Sequence, residues 1–187
     1  MTAPPLVAVL TISDRCSRGE TTDTSGPALV ELAERALGAR TLPLDCVPDE
    51  AELIGDRLRA LSELDPAPDL VLTTGGTGLA PRDVTPEATL GVIERRHSGL
   101  TELIRRRCYD KTPRAYLSRG EAGTIGRTLV INLPGSTRGA VESLEALLDI
   151  LPHAIETLRG EVQDDGRPDA TPRVGRVVRH ADRTPEA

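Results

Sequence analysis

The sequence predicts an α/β domain with a mostly parallel sheet covered by helices, and three observations carry that expectation. Short apolar runs at Leu6–Ile12, Asp69–Thr73 and Thr128–Leu133 read as buried strands. Amphipathic stretches of helical period lie between them. The connections are short, and the order strand–helix–strand–helix–strand is that of parallel crossover units.

Each element has its own justification. Leu6–Ile12 is an apolar run broken only by Thr11 and ends in the polar Ser13-Asp14-Arg15, so a strand gives way to a loop. The stretch Ser17–Thr24 is predicted loop. Pro27 suits the first turn of a helix whose apolar face is Leu29, Leu32, Ala33, Ala36 and Leu37, with Gly38 as its stop. Thr41–Val47 is a second strand, weakened by Pro43 and therefore expected at an edge. Asp49 and Glu52 have capping-box spacing ahead of Leu53, Ile54, Leu58 and Leu61, and Pro66-Ala67-Pro68 ends that helix. Asp69–Thr73 runs into Thr74-Gly75-Gly76-Thr77-Gly78. Thr85-Pro86-Glu87 has the form of a helix start, and Leu100–Cys108 is helical with Leu100, Leu103 and Ile104 on its apolar side. After the strand Thr128–Leu133, the positions Val141, Leu144, Leu148, Leu151, Ile155 and Leu158 predict one long helix from Ser136 onward, bent at Pro152. The domain is thus expected over 1–160. Residues 161–187 read as a polar, poorly ordered tail with Val174–Val178 as its candidate strand.

Composition narrows the function. There is no Trp or Phe, and the aromatic residues are Tyr109 and Tyr116, so the core must be Leu, Val, Ile and Ala. Two tyrosines cannot build stacking platforms for single-stranded nucleic acid. A net charge of −6 argues against a general footprint for DNA. No apolar run is long enough to span a bilayer, and Met1–Pro5 lacks the basic region of a signal peptide. Cys16, Cys46 and Cys108 are widely spaced and suggest neither a disulfide framework nor a zinc site, so a reducing cytoplasm is the simplest compartment.

The chemistry-bearing residues gather around glycines. Gly75, Gly76 and Gly78 directly follow a buried strand, where backbone can turn tightly and approach a ligand, and where exposed N–H groups form an anion nest. The bland reading is a strand-to-helix turn with no ligand. No Gly-Lys-Ser/Thr and no Gly-x-Gly-x-x-Gly is present, so neither a Walker loop nor a dinucleotide fingerprint applies. Asp49 and Asp83 fall on the same carboxyl edge of a parallel sheet. Two carboxylates near phosphates can hold Mg²⁺, whereas singly one is a helix cap and the other a turn aspartate. Leu133-Pro134-Gly135-Ser136 repeats the strand, glycine turn and helix start, a second anion site. Ser118 and Arg119 offer a hydroxyl and a guanidinium. Arg105-Arg106-Arg107 reads as a solvated face, and His97, His153 and His180 have no evident partners. With no Gly-x-Ser-x-Gly elbow, a reaction built on positioning and metal suits the chain better than acyl transfer.

Taken in order, Thr11-Ile-Ser-Asp-Arg15, Val47-Pro-Asp-Glu50, Leu72-Thr-Thr-Gly-Gly-Thr-Gly78, Pro81-Arg-Asp-Val-Thr-Pro-Glu-Ala88, Leu117-Ser-Arg-Gly120 and Ile131-Asn-Leu-Pro-Gly135 resemble the MogA/MoaB-type family of molybdenum-cofactor biosynthesis. The resemblance covers Leu6 to Gly160 and implies a three-layer α/β/α sandwich, usually as a homotrimer. It implies adenylyl transfer from Mg-ATP to the terminal phosphate of molybdopterin, with release of pyrophosphate and a possible hand-over to a molybdate-insertion protein. It assigns Asp49 and Asp83 as catalytic and Mg²⁺-holding acids. Ser13, Asp14, Thr74, Gly75, Gly76, Thr77 and Gly78 would belong to the nucleotide and pterin cleft. Ser118, Arg119, Pro134, Gly135 and Ser136 would face molybdopterin. The rival readings are a non-catalytic molybdopterin carrier or scaffold of the same fold, and an unrelated nucleotide hydrolase.

Overall fold

The computed structural model describes residues 3–161. The expected tail, with its candidate strand at Val174–Val178, lies outside the described residues. Strand β1 (Leu6–Ile12) is buried at every position and leads to a short helix, α1 (Asp14–Ser17). Helix α2 (Ser25–Leu37) ends at Gly38, whose φ of 61° is the left-handed conformation that closes a helix. Two short strands follow, β2 (Arg40–Thr41) and β3 (Asp45–Val47), then helix α3 (Ala51–Ser62) and strand β4 (Leu70–Thr74). Beyond the glycine loop come helix α4 (Thr85–Leu90), strand β5 (Arg95–Arg96), helix α5 (Ser98–Cys108) and a 3₁₀ turn at Pro113–Leu117. Strands β6 (Ala122–Ile125) and β7 (Thr128–Leu133) form a hairpin, and helices α6 (Thr137–Glu145) and α7 (Leu151–Arg159) complete the domain.

The sheet has seven strands in the order β2-β1-β4-β7-β6-β5, with β3 also on β1. Pairings among β2, β3, β1, β4 and β7 are parallel, while β6 pairs antiparallel with both β7 and β5. Thr11 lies opposite Thr74, and Thr74 opposite Leu133, so the carboxyl ends of the central strands share one edge.

The strand period of two sorts the core into two layers. Val7, Val9, Leu70, Leu72, Leu129, Ile131 and Leu133 pack with Leu29, Leu32, Ile104, Leu144 and Leu151 of α2, α5, α6 and α7. The intervening Ala8, Leu10, Val71 and Val130 pack with Ile54, Leu58 and Ala88 of α3 and α4. This is the three-layer sandwich. Truncating a fully buried side chain such as Leu72 to Ala is expected to cost about 2–5 kcal/mol.

Several expectations change. The strand predicted over Thr41–Val47 is interrupted around Pro43, which has no N–H for the ladder, so β2 and β3 meet opposite ends of β1. The long terminal helix is two helices: Pro152 starts α7 instead of bending a continuous one. The bonds Leu147 N to Leu144 O and Ile150 N to Leu147 O tighten the chain between them. Arg105-Arg106-Arg107 is not simply a solvated face. Arg107 pairs with Asp149 and donates to Ala146 O at 2.7 Å, while Arg105 donates to Ser118 O at 3.2 Å. Away from the cleft, Arg159 clamps Asp69 through two bonds of 2.7 Å and donates to the carbonyls of Ala3 and Pro4.

Candidate active site

Three loops at the shared carboxyl edge build the site. The first two, after β1 and β3, are joined by a reciprocal clasp. Asp14 N donates to Asp49 Oδ2 at 2.9 Å, and Asp49 N donates to Asp14 Oδ1 at 3.1 Å. The capping-box expectation for Asp49 therefore fails. The residue preceding α3 is Glu50, which makes no side-chain cap bond, and the Asp49 carboxylate is turned toward α1 and the glycine loop.

The third loop is the glycine run. Gly75 and Gly76 adopt φ of 112° and 62°, conformations that side chains rarely tolerate. A Cβ on Gly75 would collide with Ile12 O, and one on Gly76 would stand 3.0 Å from Asp49 Oδ1. A Cβ on Gly78 would meet Asp83 Oδ2 at 2.8 Å. Both carboxylates thus lie against the loop. The loop is braced by Thr85, whose Oγ1 donates to Gly75 O at 2.9 Å and whose N donates to Gly76 O at 3.1 Å. Thr85 was predicted only as a helix start. Gly76, Thr77 and Gly78 leave their N–H groups without an acceptor among the described residues. The N-terminus of α6 adds to them. Ser136 caps it by accepting from Gly139 N at 3.2 Å, and the N–H groups of Thr137 and Arg138 have no protein acceptor among the described residues. Thr74 Oγ1 donates to Pro134 O at 2.8 Å and ties the two glycine turns together.

Two cavities open on this edge and meet at Gly76, Asp83 and Gly135. The larger, about 700 Å³, is lined by Thr77, Gly78, Ser118, Pro134 and Ser136, with the cations Lys111, Arg114 and Arg138 around it. The smaller, about 320 Å³, takes in Ser13, Asp49, Thr74 and Gly75. Of the residues expected to bind substrates, Asp14 and Arg119 line neither cavity. Arg119 is a strut. Its Nε donates to Gly78 O at 2.7 Å, Nη2 donates to Asp83 O, and Nη1 pairs with Glu87, whose carboxyl it holds below the usual range.

Sequence reading missed the cations of the larger cavity and the floor of the smaller one. There, Asp23 accepts from Thr11 Oγ1 at 2.6 Å and from the N–H groups of Ser25 and Gly26 at 3.0 Å. Asp23-Thr-Ser-Gly-Pro ahead of an apolar face was a legible cap signal. Lys111 and Arg114 carried no such signal, because nothing local sets them apart from other surface cations.

The electrostatics distinguish two aspartates that touch. Burial, with Asp14 nearby, pushes the Asp49 carboxyl above its ordinary pKa. Asp14 is held below its own by the guanidinium of Arg82. Among the described residues neither Asp49 nor Asp83 enters an ion pair, although Asp14, Asp45, Asp56, Asp69 and Asp149 all do. No cluster of three or more His, Cys, Asp or Glu among the described residues could cage a metal. The pair fits Mg²⁺ better than a closed site would, since that ion takes one or two carboxylates and completes its shell with phosphate and water oxygens.

Residues 8–153 match the family model described as a probable molybdopterin binding domain. The molybdopterin adenylyltransferase of Helicobacter pylori strain J99 is 40% identical over 155 residues, covering 82% of this chain and 88% of that protein. The molybdenum cofactor synthesis protein cinnamon of Drosophila melanogaster is also 40% identical, over 82% of this chain. The chain spans about a quarter of the length of cinnamon and of Dictyostelium discoideum gephyrin, 26% and 22% respectively. Among solved structures, the molybdopterin biosynthesis enzyme MoaB of Thermus thermophilus is 48% identical with a TM-score of 0.76, covering 83% of this chain and 97% of that one.

Proposed function

The chain belongs to the MogA/MoaB-type family of molybdopterin-binding domains, and from that premise we propose that it is a molybdopterin adenylyltransferase. The observation that carries the proposal is the pair of carboxylates Asp49 and Asp83, which accept only backbone N–H bonds and have no ion-pair partner among the described residues, against a loop whose N–H groups have no acceptor there, where two cavities meet. A two-substrate phosphate reaction needs such a junction.

In this reading the larger cavity takes molybdopterin and the smaller one the nucleotide. An oxygen of the terminal phosphate of molybdopterin attacks the α-phosphorus of ATP. The bond from that phosphorus to the bridging oxygen breaks, and pyrophosphate leaves with its electron pair. The nucleophile is already anionic, so no strong general base is required. The protein's task is to align two polyanions that repel each other. The N–H groups of Gly76–Gly78, the N-terminus of α6 and the cations Lys111, Arg114 and Arg138 offset that repulsion. Asp49 and Asp83 would hold Mg²⁺, which when bound neutralises phosphate charge.

Incubating the purified protein with Mg-ATP and molybdopterin should give adenylylated molybdopterin by mass spectrometry. Tight molybdopterin binding with no product would favour the carrier reading. Phosphate release from ATP without the pterin would favour a hydrolase. The proposal extends to a homotrimer acting in the cytoplasm and passing its product to a molybdate-insertion protein. Light scattering should return three times the 20.0 kDa chain mass, and a monomer mass at micromolar concentration would remove the trimer.

A further inference from the structure

We propose that Arg82 is a positioning residue for this reaction, holding Asp14 in the clasp that aims the Asp49 carboxylate at the glycine loop. The kinetic part of the inference rests on the adenylyltransferase reading, and the geometric part does not.

Arg82 sits in the segment after the glycine loop, next to Asp83, and reaches across to the loop after β1. Its Nε donates to Asp14 Oδ2 at 3.0 Å, and its Nη2 lies 2.7 and 2.8 Å from the two oxygens. Asp14 Oδ1 also accepts the N–H of Asp49, and Asp49 Oδ2 accepts the N–H of Asp14. One oxygen of Asp49 is therefore fixed, and the other is left on the Gly76 side, 3.0 Å from where a Cβ there would stand.

The arrangement has an electrostatic requirement. Each carboxylate accepts the other residue's N–H, which brings two like charges close enough to repel. The guanidinium supplies the opposing charge in a bidentate geometry that keeps Asp14 oriented. The Arg82 side chain is 59% exposed, but Asp14 is only 25% exposed and its carboxylate's other bond goes to Asp49 N, so the pair ties two loops together and does more than decorate the surface. Direct substrate contact is a poor account of it, because neither Arg82 nor Asp14 lines either cavity. Arg82 thus acts from behind, joining the loops after β1, β3 and β4.

The test combines exchange, binding and kinetics on Arg82→Gln, Asp14→Asn and the double variant. In Arg82→Gln, amide hydrogen exchange at Asp14 and Asp49 should quicken about tenfold while the core strands stay protected. Unchanged exchange at both amides overturns the inference whether or not the protein proves active. In single turnover each variant should lose about tenfold, with ATP affinity by calorimetry within about twofold, and the double variant should lose no more than the worse single one. Losses that multiply, or a fall in ATP affinity matching the fall in rate, would mean that Arg82 meets the substrate itself and would overturn the positioning role. With the Arg82 end in solvent, breaking the pair should move the melting temperature by less than about 3 °C. A wild-type protein that makes no product fails the functional reading instead, and the exchange measurement still decides the clasp.

Discussion

The two ends of strand β4 treat the same side chain in opposite ways. Before the strand, Asp69 is gripped by Arg159 and also accepts the N–H of Leu6 at 2.8 Å, and both partners of the ion pair are largely buried. Beyond its carboxyl end, Asp83 and its neighbour Asp49 have no cationic partner among the described residues, and the N–H groups beside them have no acceptor there. One end is closed by its own residues and the other is left open. The difference teaches where to look: polar satisfaction marks the scaffold, and its absence at a braced, rigid loop marks the place reserved for something else.

The comparison can be broken most sharply at the open end. Asp49→Asn and Asp83→Asn should stay folded and lose about 10²-fold or more in single-turnover adenylylation, as for one preorganised electrostatic group. Near-normal rates in both would make the open end structural as well. At the closed end Arg159→Ala should do the reverse. It should cost about 2 kcal/mol, less than for a fully buried pair, and lower the melting temperature by about 4–8 °C with the rate retained. Intermediate between them, Gly76→Ala drives a methyl into Thr85 Oγ1 in a backbone conformation of positive φ, so it should weaken ATP about tenfold by calorimetry and also lower stability.

The smallest effect is in pH. Despite its burial, Asp69 is held below its ordinary pKa by Arg159 and the Leu6 N–H. Its contribution is therefore present above the unfolded value and lost as pH falls through the folded one. The melting-temperature gap between wild type and Asp69→Asn should narrow below about pH 4. Asp49, whose carboxyl is raised by burial, contributes in the opposite sense, its share fading as pH rises. Asp49→Asn should then match or exceed wild-type stability at neutral pH, and a clear loss there would contradict the contrast.

What was legible in the sequence follows the same division. Strands β1, β4 and β7 announce themselves because both their faces are buried, so at least three apolar residues stand in succession in each. The glycine loop was visible because its backbone demands glycine, and Asp49 and Asp83 because a parallel sheet gathers carboxyl ends. Strands β5 and β6 were not legible: Arg95–Arg96 is exposed and charged, and β6 is four residues long and opens on Ala122-Gly123, two residues depleted in strands. The hairpin turns at Gly126, whose φ is 55°, and an isolated glycine does not by itself announce a hairpin. The clasp of Asp14, Arg82 and Asp49 was beyond reach, since Asp14 and Arg82 stand 68 positions apart and only the folded sheet makes them neighbours.

The tie from Arg159 to the Ala3 and Pro4 carbonyls fixes where the folded unit joins any longer chain. It holds the residues just before β1 beside the end of α7, at the edge of the sheet opposite the glycine turns. A unit anchored this way can be spliced between other polypeptides with both seams on one side and the two cavities unobstructed. The same geometry favours circular permutation, since a short linker joining the tied ends would leave the glycine turns undisturbed.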